Sequence, residues 1–109
     1  MNRITIAYYV LIGFFFLLAN STYAQDQQIA DSLVKIYMAN TLTGEARLEL
    51  LTELSFNEVK DNQKSLQYAE ELIKLSKEQG KNFYVSQGYF QKGSAHRLMG
   101  NLEEALTAF

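Results

Sequence analysis

The sequence predicts an all-α fold of antiparallel helix pairs, and three observations carry that expectation. Apolar residues return every three or four positions through successive segments, no useful length alternates with the two-residue period of a strand, and the chain contains no Pro. The breaks between segments are Gly-, Asn- and Asp-containing stretches of about two to six residues, a length that sets consecutive helices side by side and antiparallel.

Taken in order, the chain opens on a segment that is not part of that fold. Arg3 supplies a short positive start, Ile4 to Leu18 form an apolar run broken only by Thr5 and Gly13, and Thr22-Tyr23-Ala24 is a small-residue exit. This is the pattern of a secretory signal peptide over residues 1–24, with cleavage expected after Ala24 so that Gln25 begins the mature chain. The alternative is a retained anchor, since a run of about 15 residues falls short of the roughly 20 that span a bilayer but tilt or thinning could accommodate it. Either way the expectation is an exported protein, periplasmic or otherwise extracytoplasmic. There is no Cys, which excludes both a lipid-modified N-terminal Cys and disulfides.

Residues 25–44 then read as an opening helix and linker: Asp26 is a good N-cap, and Ile29, Leu33, Ile36 and Tyr37 follow at helical intervals. Thr41 to Gly44 break it. A second helix is expected over 45–60, with Leu48, Leu51, Leu54 and Ser55 as its stripe and Leu50 widening it. Asp61-Asn62 supplies turn and cap chemistry for a third, over 63–79, where Leu66, Ala69, Leu72, Ile73 and Ser76 keep the spacing and Lys77 and Gly80 suit its C-terminus. Asn82 can cap a fourth, over 83–99, whose apolar positions include Phe83, Val85, Tyr89, Phe90 and Leu98. After Gly100, Asn101 with Glu104 has the spacing of a capping box and opens a fifth.

The last of these segments carries a resemblance. Tyr89, Gly93, His96, Gly100, Ala105 and Phe109 fall at the spacing of large and small residues in a tetratricopeptide repeat, and residues 81–109 resemble most of one such unit, truncated within its second helix. In that family the small positions let paired helices approach closely, which is the packing role the resemblance implies for these six residues. Residues 45–80 resemble a divergent repeat, with Leu51, Leu54, Ser55 and Glu58 matching loosely; aligning Ser65 with Ala105 and Ala69 with Phe109 gives a period of about 40 residues against the usual 34 or so. Lys92, where the family usually has Leu, and His96, where it usually has Tyr, are departures. The resemblance implies a TPR-like α-solenoid whose ligands, proteins or peptides, lie in a groove lined by first helices; Tyr84, Gln87, Gln91 and Lys92 are the candidates to line it.

Charge and chemistry narrow the function. The net charge is −2, and acidic and basic residues alternate through Glu58, Lys60, Asp61, Lys64, Glu70, Glu71, Lys74 and Lys77, a solvated surface rather than a phosphate-binding face, so no nucleic-acid partner is expected. His96 is the only His and lacks partners at metal-ligand spacing; Glu70-Glu71 and Glu103-Glu104 diverge by about 100° on a helix and cannot converge on one atom. No catalytic residue, metal or cofactor is expected, and the aromatic series Phe83, Tyr84, Tyr89, Phe90 reads as core rather than as a stacking platform. The expectation is therefore a non-enzymatic scaffold for a protein or peptide ligand, forming the N-terminal sensory part of a longer signalling protein. The alternative is the non-catalytic leading region of an enzyme, a nucleotide cyclase or histidine kinase, whose catalytic domain follows.

Overall fold

The computed structural model of the chain describes residues 3–109, the side chains of residues 11–23 and of Leu102 excepted. The described residues form five helices and no strand: α1 (Arg3–Ala39), α2 (Gly44–Asn57), α3 (Asn62–Gln79), α4 (Asn82–Leu98) and α5 (Leu102–Ala108). The expected all-α class and all four interhelical breaks are present.

α1 differs from its expectation. It runs unbroken through 37 residues, so Asp26 sits inside the helix and caps nothing. No Gly or Pro separates Ala19 from Ala39, and nothing local stops a helix once begun. Its buried face is also rotated: Gln27 and Ala30 are buried and Leu33, Val34 and Tyr37 pack on the core, while Ile29 and Ile36 point outward. The leader's apolar run from Leu11 to Leu18, together with Thr22, has its side chains outside the described residues. Among the described residues no helix is long and apolar enough to cross a membrane.

The ends of the later helices follow their sequence where backbone geometry decides and depart where side chains should. Asp61 accepts from the Lys64 N–H at 3.1 Å and caps α3. Gly80 at φ 67° takes the left-handed turn after α3, with the Lys81 N–H donating to Ser76 O at 2.9 Å; Gly100 at φ 81° does the same after α4. Asn82 is not a cap, because α4 starts one residue earlier with Lys81 in that place. The Asn101–Glu104 capping box does not form; the Asn101 amide lies instead 3.5 Å from His96 Nδ1.

The core sits where α1, α2, α3 and the start of α4 meet. Leu48, Leu51, Leu54 and Leu72 are completely buried, joined by Leu50, Tyr68 and Tyr84, and each such leucine stabilises the fold by about 1.5–3 kcal/mol. α2 and α3 are drawn together by small residues: Ser65 Oγ donates to Ser55 O at 2.6 Å, both side chains buried. α3 and α4 approach still more closely at Gly88, where a Cβ would lie 2.6 Å from Ile73 Cγ1, 3.2 Å from Ile73 N and 3.3 Å from Ala69 O. At Gly93 a Cβ would meet the Phe109 ring at 2.7 Å.

Candidate binding groove

Small residues on one side of α4 decide what its other side presents. Gly88 and Ala95 lie on the packed face with Tyr84, Gly93 lies under Phe109, and three other large residues of the helix turn outward: Phe90 is 55 % and Leu98 64 % exposed, and Phe83 is exposed as well. The expectation that the aromatic series belongs to the core is thus corrected for Phe83 and Phe90 and holds for Tyr84. Pinched against α3 at Gly88, the packed face takes the Tyr84 ring a turn earlier but has no room for Phe83 or Phe90 as well.

α2 runs beside α4 and carries Phe56, 59 % exposed, in its last turn. Together they bound a cleft of about 360 Å³, whose walls include Phe56, Val59, Phe90, Ser94, Arg97 and Leu98. It combines four large apolar side chains with the Arg97 guanidinium and, deeper in, the Glu58 carboxylate, and among the described residues Arg97 has no ion-pair partner.

The floor of this cleft is held by a buried polar knot. Gln27 of α1 reaches the α2–α3 turn, where its Oε1 accepts from the Val59 N–H at 3.1 Å and the Lys60 N–H at 3.0 Å. Its Nε2 donates to Glu58 Oε2 at 3.2 Å and Asp31 Oδ1 at 2.9 Å. Glu58 completes the knot by accepting from the Asp61 N–H at 3.2 Å. Gln27 and Glu58 are only 6 % and 7 % exposed, so these bonds replace water that the groups have lost. Among the described residues no buried side-chain nitrogen or oxygen is left without a partner.

A second set of contacts joins α1, α2 and α3 near the start of α2. Arg47 bridges to Glu71 at 2.7 Å and lies 5.2 Å over the Tyr37 ring, and the Tyr37 hydroxyl donates to the same Glu71 at 2.8 Å. Burial and the Glu71 carboxylate hold the Tyr37 phenol above its usual range. Tyr84 donates to Glu49 at 2.8 Å, tying α4 to α2, and that hydrogen bond, with burial, pushes its pKa up to about 12.

The four residues expected to line a groove do not share one surface. Tyr84 is buried on the packed face of α4, where it bonds to Glu49, which corrects its assignment as a groove residue, whereas Gln91, seven positions on and also largely buried, lines the α2–α4 cleft. Gln87 is half-buried at the flank. Lys92, also half-buried, belongs to a different cleft of about 370 Å³ with Tyr89, His96, Glu70, Glu103 and Glu104. There Lys77 donates to the Tyr89 hydroxyl at 2.7 Å and lowers that phenol's pKa. The packing residues fare differently: Gly93 and Ala105 are buried, Tyr89 and His96 are half-buried, and Gly100 makes its turn. Phe109 is 60 % exposed, so it covers Gly93 and stacks edge-on to Phe90 at 5.9 Å without closing a core. Among the described residues no group of three or more His, Cys, Asp or Glu side chains is placed to hold a metal ion.

Two features were not anticipated, and only the second had a readable local signal. The Gln27–Glu58 knot joins residues 31 positions apart, and no spacing rule reaches that far. Gly88 could have been found: a glycine inside an otherwise helical pattern costs about 1 kcal/mol and implies a close approach. No protein-family model, curated protein or solved structure matches the chain.

Proposed function

We propose that the chain is an exported, non-enzymatic helical scaffold of the tetratricopeptide-repeat type that binds a peptide segment of another protein in the α2–α4 cleft. The observation that carries this reading is the exposure of Phe56, Phe90 and Leu98 around one cleft while the aliphatic core beneath them is already complete. Side chains of that size left in water on two parallel walls are the anchor sites that a peptide's apolar residues fill, and Arg97 at the rim suits a carboxylate on the same peptide. Supporting the repeat reading, α4 follows α2 and α5 follows α3 at steps of about 40 residues, with small buried pairs, Ser55 with Ser65 and Gly93 with Ala105, at corresponding places. A role as the N-terminal sensory part of a longer signalling protein belongs to the same proposal.

Selection of random peptides on the folded protein tests it. The reading expects apolar sequences with an acidic residue to be enriched, and expects their binding to be lost in Phe56→Ser/Phe90→Ser while circular dichroism is unchanged. Enrichment of nothing, or of peptides indifferent to both substitutions, contradicts it.

A further inference from the structure

α1 carries two glutamines two positions apart in opposite surroundings. The Gln27 amide is buried and engaged on both its oxygen and its nitrogen. Gln25 is exposed, as is Ala24 before it, and among the described residues the Gln25 side chain makes no hydrogen bond. Gln27 is also the first buried residue among those described. A chain that begins at Gln25 therefore keeps every bond between α1 and the α2–α3 turn, and its terminal residue lies outside the packed structure with a free side-chain amide.

We infer that Gln25, once exposed as the N-terminal residue, is a modification site that closes to pyroglutamate. The inference rests on the export reading, which sets cleavage after Ala24. An α-amine titrates near pH 8, so part of it is uncharged at neutral pH. Its lone pair attacks the side-chain Cδ and forms the N–Cδ bond of a five-membered lactam. The bond from Cδ to the amide nitrogen breaks, and that nitrogen leaves as ammonia with a proton taken from the attacking amine. No oxidant, reductant or further reactant is needed. The ring is neutral, which removes a positive charge from the positive end of the helix dipole at the new start of α1. It also leaves no free amine for an aminopeptidase, whose trimming would next reach Asp26 and the Gln27 knot.

The test is the intact mass and N-terminal sequence of the protein after secretion from a host given the full chain with its leader. The inference expects a chain from Gln25 to Phe109 lighter by one ammonia, closed to stepwise N-terminal sequencing and opened by a pyroglutamate-specific aminopeptidase. Gln25→Ala, processed at the same bond, should restore the full mass and an open terminus. A chain starting at Gln25 with its amine free overturns the cyclisation and leaves export standing. A retained leader, or a start elsewhere, overturns both.

Discussion

The two helical hairpins of the fold, α2 with α3 and α4 with α5, follow one plan and reach different degrees of completion. In the first, small residues at Ser55 and Ser65 bring the helices together, and Leu48, Leu51, Leu54 and Leu72 fill the space beside them completely. α1 covers one flank of that hairpin and α4 the other. In the second, Gly93, Ala95, Ala105 and Ala108 are buried, but Leu106 and Phe109 remain in water. Small residues set how near two helices come, whereas aliphatic burial from both flanks sets how firmly they stay. Gly88 is the joint between the two hairpins.

The comparison can be broken most sharply in the first hairpin. Leu51→Ala removes a fully buried side chain from the centre of the core and should cost about 2–5 kcal/mol in denaturant unfolding. A smaller loss would mean that the first hairpin is no firmer than the second. Next in size is the joint. Gly88→Ala gains up to about 1 kcal/mol of helix propensity but drives a methyl into the Ile73 side chain and the α3 backbone, an overpacking penalty of about 1–3 kcal/mol, so net destabilisation is expected. Gln27→Ala sharpens the role of α1: it strands the Val59 and Lys60 N–H groups beside Glu58 and should cost about 1–3 kcal/mol, with the loss read as a lower urea midpoint.

Tyr84 gives a pH-dependent reading of the tie between α2 and α4. Its folded pKa stands above the ordinary phenol value, so the bond to Glu49 contributes fully below about pH 10, and that contribution is lost as pH climbs through about 12. Stability should fall across that window in the natural chain and fall less in Tyr84→Phe. The smallest effect belongs to the second hairpin. Gly93→Ala meets first the ring of the exposed Phe109, which can swing aside, and should change the unfolding midpoint little or raise it.

Much of the fold was legible because it depends on period and punctuation. The leucine stripe of α2, the α3 face from Leu66 to Ser76, and the glycine turns at Gly80 and Gly100 are local signals that tertiary packing reinforces. α4 was not legible in the same way. Its aromatic residues have helical spacing on either face, and only the closeness of Ile73 at Gly88 decides that Tyr84 goes in and Phe90 goes out. The groove was legible only in part: Gln91 does line the cleft, Tyr84 lies on the packed face, and Phe56, near the end of the neighbouring hairpin's first helix, completes the cleft from a distance that sequence spacing does not show.

Native-state hydrogen exchange on the full chain tests the account most directly, because it reads the firmness of each helix separately. Amides of α2 and α3 should exchange only through global unfolding, while those of α5 should exchange through a local opening of much lower free energy that leaves α2 and α3 protected. Protection of α5 equal to that of α2 would contradict it.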